Sequence, residues 1–178
     1  MRVLIPLAEG FEETEAITVI DILRRAGIDA ITAALNKNPV TGSHKISVIA
    51  DKLLDENEEF TAIVLPGGMP GSSNLRDDNR IINIIKKIDA SGGLTAALCA
   101  APIVLSKAGL LRGKQYTCYP GFEDEIAGGI FTDKNVAADG NIITGKGAGH
   151  AVQFALAIVS HLKGEGASKK VSEGLTLC

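Results

Sequence analysis

Short, mostly apolar runs alternate along the chain with stretches in which apolar residues return every three or four positions. Residues 3–7, 28–35, 61–65 and 94–98 are of the first kind, each the length of a buried strand. The second kind begins at Glu13, where Ala16, Val19, Ile20, Leu23 and Ala26 share one helical face and Gly27 suits the C-cap. Acidic residues crowd the start of this helix and Arg24-Arg25 its end, as the helix dipole prefers. A second helix is predicted over 77–90, with Ile81, Ile84, Ile85 and Ile88 on one face and Gly92-Gly93 closing it. A third follows Pro102, and a strongly apolar one spans 151–162. Residues 40–50 alternate weakly and read as a small ribbon, while 51–59 are polar and read as a loop or a turn of helix. Residues 116–118 form a short strand, and Asp139-Gly140 joins 136–138 to 141–144 as a hairpin. Strands alternating with helices predict an α/β fold: a doubly wound, mostly parallel sheet with helices on both faces and a small hairpin addition. One domain is expected over 1–165. Residues 166–178 show little pattern and are expected to form a tail.

Composition narrows the classes. A chain of 178 residues with 46% hydrophobic and 22% charged residues suits one soluble domain. A net charge of −3 supplies no basic field, so no nucleic-acid partner is expected. No apolar run approaches the length of a membrane helix, and none near residue 1 suits a signal peptide, so neither membrane nor export is expected. Three cysteines, Cys99, Cys118 and Cys178, are an odd number without metal-ligand spacing, which fits free thiols in a reducing cytoplasm and no metal. The run Gly145-Lys146-Gly147-Ala148-Gly149 matches neither a P-loop nor a dinucleotide fingerprint, and no cofactor is expected. It reads as a turn that brings backbone to the carboxyl edge of the sheet.

The chemistry centres on Leu94-Thr95-Ala96-Ala97-Leu98-Cys99-Ala100-Ala101-Pro102, read as strand, sharp turn and helix. Such a turn holds the apex side chain over the carboxyl edge, the geometry of a nucleophile elbow with Cys in place of Ser. A helix start beneath the sulfur predicts a depressed thiol pKa. Free Cys is also among the most buried residue types, and this stretch alone fits a buried packing residue equally well. Two other features point to the same edge: Glu12, Glu13 and Glu15 after the first strand, and the Pro66-Gly67-Gly68 turn, whose N–H groups can face an anion. The helix dipole by itself accounts for three glutamates in one turn.

These pieces resemble the ThiJ/PfpI superfamily, on the branch of the Parkinsonism-associated deglycase and its bacterial homologues. The matching stretches are Glu12-Glu13-Thr14-Glu15, Leu65-Pro66-Gly67-Gly68, Ala97-Leu98-Cys99-Ala100-Ala101-Pro102 and Gly147-Ala148-Gly149, with Arg24-Arg25-Ala26-Gly27 and Phe154-Ala155-Leu156-Ala157-Ile158-Val159, in order over nearly the whole chain. The resemblance implies a flavodoxin-like, class I glutamine amidotransferase-like domain that forms a homodimer. It implies an oxidation-sensitive nucleophile at Cys99, a protonated partner carboxyl at Glu15, and N–H donors from Gly67 and Gly68, with Ala100 beside the cysteine. The implied activity is cofactor-free glyoxalase or deglycase chemistry, by a hydro-lyase or hydrolase, on methylglyoxal, glyoxal or their early adducts on glycated protein. The alternative it implies is a redox sensor or chaperone of the oxidative-stress response, with Cys99 taken to the sulfinic acid.

This chain departs from that pattern at Tyr119, where the human-type branch has a His, and a phenol is a poor base at neutral pH. Protease-like members place His directly after the cysteine. Ala100 stands there, which excludes that dyad. His150 opens the last helix and is a candidate for the site beside its plainer reading as a polar helix-start residue. His44 falls where relatives carry an arginine that reaches across the dimer.

Overall fold

The computed structural model describes residues 1–177; Cys178 lies outside the described residues. In chain order the elements are β1 (Arg2–Leu7), α1 (Glu13–Arg25), β2 (Asp29–Ala34), β3 (Val40–Thr41), β4 (Ser47–Val48), β5 (Lys52–Leu53), β6 (Ala62–Leu65), α2 (Gly71–Asp77), α3 (Asn79–Ala90), β7 (Leu94–Leu98), α4 (Pro102–Lys107), β8 (Gln115–Tyr116), β9 (Ile130–Phe131), β10 (Val136–Asp139), β11 (Ile142–Gly145), α5 (Ala151–Lys163) and α6 (Glu165–Gly174). The main sheet runs β10-β11-β7-β6-β1-β2-β5. Every pairing is parallel except β10 with β11, so the hairpin adds its two strands to one edge and the sheet is of the flavodoxin-like, doubly wound type.

The two-residue period of a strand divides the core in two. Val3, Ile5 and Leu7 of β1 face α1, α5 and α6 with Val64, Leu98 and Phe154, whereas Leu4, Ile63 and Ala97 face α2, α3 and α4 with Leu75, Ile85 and Val104. Strands buried on both faces read as continuous apolar runs, which is why they are legible in the sequence. Gly27 ends α1 at φ +66, with its N–H on Arg24 O at 2.9 Å, the left-handed C-cap expected of it.

Three regions differ from the sequence reading. The helix expected over 77–90 is two: Asp78 is extended and caps α3 with its carboxylate on the Arg80 N–H at 2.9 Å, so α2 ends before it. The polar stretch after Asp51 includes the edge strand β5, where the Asp51 carboxylate takes the N–H and hydroxyl of Thr32, both at 2.8 Å. The expected tail instead holds helix α6, packed on α5. Its one apolar stripe, Ala167, Val171 and Leu175, is too sparse to announce a helix by itself, yet Val171 is buried and the Ser168 hydroxyl donates to Leu156 O at 3.0 Å. The ribbon over 40–50 is the antiparallel pair β3–β4, and β8 with β9 makes a second small sheet beside the main one. Among the described residues no helix is long and apolar enough to cross a membrane.

Candidate active site

At the carboxyl end of β7 the chain turns sharply, and Cys99 occupies the left-handed region at φ +63. A non-glycine residue held there is strained, and such strain persists only where the surroundings over-determine it. Two hydrogen bonds do so: Cys99 N–H donates to Gly145 O at the end of β11, and Tyr119 N–H donates to Cys99 O, both at 2.9 Å. Cys99 is partly buried, and α4 starts at Pro102, three residues on.

Glu15 reaches the same point from the first turn of α1 and is fully buried. Its Oε2 accepts the Gly67 N–H at 2.7 Å. The Cys99 thiol lies beside this carboxylate and interacts with it, and among the described residues Oε1 has no hydrogen-bond partner by strict geometry. A buried oxygen without a partner is rare in proteins and marks a place for a proton or a ligand. Gly67 makes the approach of the two groups geometrically feasible. A Cβ at residue 67 would stand 2.6 Å from Cys99 Cβ and 2.7 Å from Glu15 Oε2. Gly67→Ala is therefore expected to cost about 1–3 kcal/mol of stability by overpacking and to slow alkylation of Cys99. Urea denaturation and thiol labelling check this, and an unchanged labelling rate would contradict it. Gly68 is required for a second reason, a φ of +88 with the Glu12 backbone 2.4 Å from where its Cβ would be.

Burial raises the Glu15 carboxyl to about 7; the Gly67 N–H and the thiol work against that rise, and the charge of Glu12 adds to it. Burial also pushes the Cys99 thiol up, to about 12, with the neighbouring Glu15 carboxylate as the next cause and the N–H groups of Ala100 and Gly68 opposing. The depressed thiol pKa expected from the helix start is thus corrected: six-residue α4 cannot offset burial beside a carboxylate. The resting pair near neutral pH is a thiol next to a carboxyl that titrates at that pH. The Gly67 N–H, expected to face an oxyanion, is taken by Glu15, which leaves those of Gly68 and Ala100 facing the sulfur.

Tyr119 sits at the site with its ring half exposed, in edge contact with Phe122 at 6.4 Å. Phe122, packed edge-on against Tyr119, and Met69, the exposed residue after Gly68, escape sequence reasoning because both lie in irregular segments without periodicity. His150 ends a single turn of 3-10 helix, Ala148–His150, and opens α5, its N–H on Gly147 O at 2.8 Å. His44 stands apart on the β3–β4 ribbon. Its ring is exposed and its Nδ1 lies 3.0 Å from Glu13 and 3.2 Å from Glu12. The hydrogen bond to Glu13, then the charge of Glu12, raises the imidazole pKa. Burial opposes the charge on Glu13, but N–H donors and the imidazole outweigh it and hold the carboxyl below its usual range. Glu12, Glu13 and His44 form the only group of cation-binding spacing found among the described residues, with ligand atoms within 4.8 Å. The Glu13 oxygens are already engaged by the His44 and Ile46 N–H groups and by the Ser43 hydroxyl. The cluster therefore ties the ribbon to the start of α1.

A cysteine on a strained strand–helix turn, backed by a buried carboxyl at the carboxyl edge of a doubly wound sheet, defines a flavodoxin-like domain built around a single thiol. The chain belongs to the DJ-1/PfpI family, whose sequence profile matches residues 1–161. Drosophila melanogaster protein dj-1beta is 38% identical over 177 residues, covering 97% of this chain and 95% of that one. Its crystal structure superposes with a TM-score of 0.94 over 99% of this chain and 98% of the other. Arabidopsis thaliana protein DJ-1 homolog B is 39% identical over 167 residues, 92% of this chain, but the match spans only 38% of that longer protein. A deglycase of Pyrococcus abyssi is 34% identical over 167 residues, 92% of this chain and all of the relative.

Proposed function

We propose that this protein is a cofactor-independent glyoxalase or deglycase that acts on 2-oxoaldehydes and their early adducts through Cys99 and Glu15. The observation that carries the reading is the buried pair itself: a thiol at an enforced positive φ beside a carboxyl whose pKa is raised to about 7. A base of that pKa is matched to proton transfer at neutral pH. The deglycase among the relatives supports the same class of reaction.

In this reading Glu15, as carboxylate, takes the thiol proton while the sulfur adds to the aldehyde carbon of methylglyoxal. The carbonyl electron pair moves to oxygen, where the N–H groups of Gly68 and Ala100 meet it, and Glu15 returns the proton to give a hemithioacetal. Glu15 then removes the hydrogen on that carbon, and an enediol forms. Reprotonation at the adjacent carbon yields the thioester of lactate. Water cleaves the thioester, releasing lactate and the Cys99 thiol. One substrate carbon is oxidised and its neighbour reduced, so no external oxidant or reductant enters. Reduced protein is expected to convert methylglyoxal to lactate without added thiol, followed by loss of the dicarbonyl and appearance of the acid. No turnover under those conditions would remove the reading.

The redox-sensor alternative rests on the same thiol, but peroxide reacts with the thiolate, and burial beside Glu15 disfavours that form. We also infer a homodimer. Ile17 on α1 and Ile46 and Ile49 on the neighbouring ribbon are 46%, 58% and 80% exposed, an apolar area that a second copy would cover. Light scattering is expected to give twice the chain mass of 18.5 kDa, and a monomer at micromolar concentration would exclude it.

A further inference from the structure

We propose, resting on the 2-oxoaldehyde reading, that Tyr119 and Phe122 form an aromatic rim that selects substrates carrying an aryl group on the ketone carbon over methylglyoxal. The rim is built, not incidental. The Tyr119 N–H on Cys99 O fixes this residue beside the nucleophile, and Thr117, two residues earlier, is anchored to the Thr144 hydroxyl at 2.9 Å. Cys118, between them, is fully buried, yet the next side chain is 51% exposed. The Tyr119 ring lies against Gly147, where a Cβ would meet Cδ2 at 3.4 Å, an ordinary van der Waals contact, so the turn of β11 into α5 backs the ring. Phe122 meets it edge-on at 73°, and the turn that joins them is closed by Phe122 N–H on Tyr119 O at 3.2 Å.

Gly68 and Ala100 offer only backbone N–H groups to a substrate oxygen, and Met69, 45% exposed, follows with a flexible thioether. The lysine of the adjoining Gly145–Gly149 turn, Lys146, pairs with the exposed Asp133 at 2.5 Å. A compound R–CO–CHO held by its aldehyde at Cys99 has the exposed Tyr119 ring, backed by the partly buried Phe122, and the Met69 thioether on the flanking segments, surroundings that favour an aryl R by offset or edge stacking.

The test compares kcat/KM for phenylglyoxal and methylglyoxal. The wild type should favour the aryl compound. Tyr119→Ala should lower the phenylglyoxal-to-methylglyoxal ratio roughly tenfold, mainly through KM, and Phe122→Ala should lower it less. Tyr119→Phe keeps the ring and should keep the ratio. A ratio unmoved by Tyr119→Ala, or lost in Tyr119→Phe, would overturn the inference while methylglyoxal turnover leaves the functional reading standing. If neither compound turns over, that reading falls, and the rim is measured without turnover as the rate of Cys99 alkylation by N-phenylmaleimide against N-ethylmaleimide, mapped by mass spectrometry. The aryl preference should again fall roughly tenfold in Tyr119→Ala, and an equal ratio in both proteins would overturn the inference.

Discussion

Cys99→Ser is expected to lower methylglyoxal turnover by roughly 10³-fold or more while the protein stays folded. Serine is nearly isosteric and can occupy the same turn, because φ +63 is enforced by the Gly145 and Tyr119 hydrogen bonds to the backbone of residue 99 and not by its side chain. Stability should therefore change by less than about 1 kcal/mol. Chemistry is lost for a different reason: a hydroxyl is far less acidic than a thiol, and a carboxylate of pKa about 7 cannot take its proton at a useful rate. Lactate release and a urea unfolding curve, measured on one preparation, separate the two quantities. Turnover within tenfold of the wild type would show that the sulfur is not the nucleophile.

Glu15→Gln should produce the next largest effect, and in two opposite directions. Turnover should drop by roughly 10²–10⁴-fold, and the rise of kcat/KM through pH 7, which ionisation of Glu15 gives the wild type, should vanish. Stability should move the other way. The carboxyl titrates at 4.5 when unfolded and at about 7 when folded, so between those values the folded chain binds more protons. Its contribution is fully present below pH 4.5, declines as pH rises through 7 and is flat above. That decline amounts to about 3 kcal/mol. Glutamine has no charge to bury and can still accept the Gly67 N–H. The variant should gain on the wild type by up to about 3 kcal/mol between pH 4.5 and 8. Glu13 and Asp51, held below the carboxylate range, impose the opposite slope on both proteins, so the difference between the two unfolding curves isolates residue 15. A difference that stays constant with pH would mean that Glu15 is not a buried ionisable group. A variant that is both more stable and inactive would identify this carboxyl as one kept for chemistry at the expense of the fold.

The sequence by itself determined the central strands of the sheet and most of the helices, but not the short strands β5 and β9. A strand covered on both faces must be apolar throughout, and a helix lying on a sheet must repeat its apolar residues at 3.6 positions; β1, β6, β7, α1 and α5 obey one rule or the other without help from distant contacts. It also pointed to Cys99, Glu15 and the Gly67-Gly68 turn, because chemical residue types stood at strand ends where loops of such a sheet converge. Local pattern was too weak for α6, whose stripe is three residues, and for the break at Asp78, which depends on one side chain capping a new helix. Only the tertiary structure decided the state of the site. The depth at which Glu15 is buried, the use of the Gly67 N–H by its carboxylate, the raised thiol and the ring of Tyr119 against Gly147 all depend on residues separated by 28 to 84 positions brought within contact. Desolvation and hydrogen-bond competition act through space, so the residue types at the site were legible in the chain, whereas their protonation and the shape of its mouth were not.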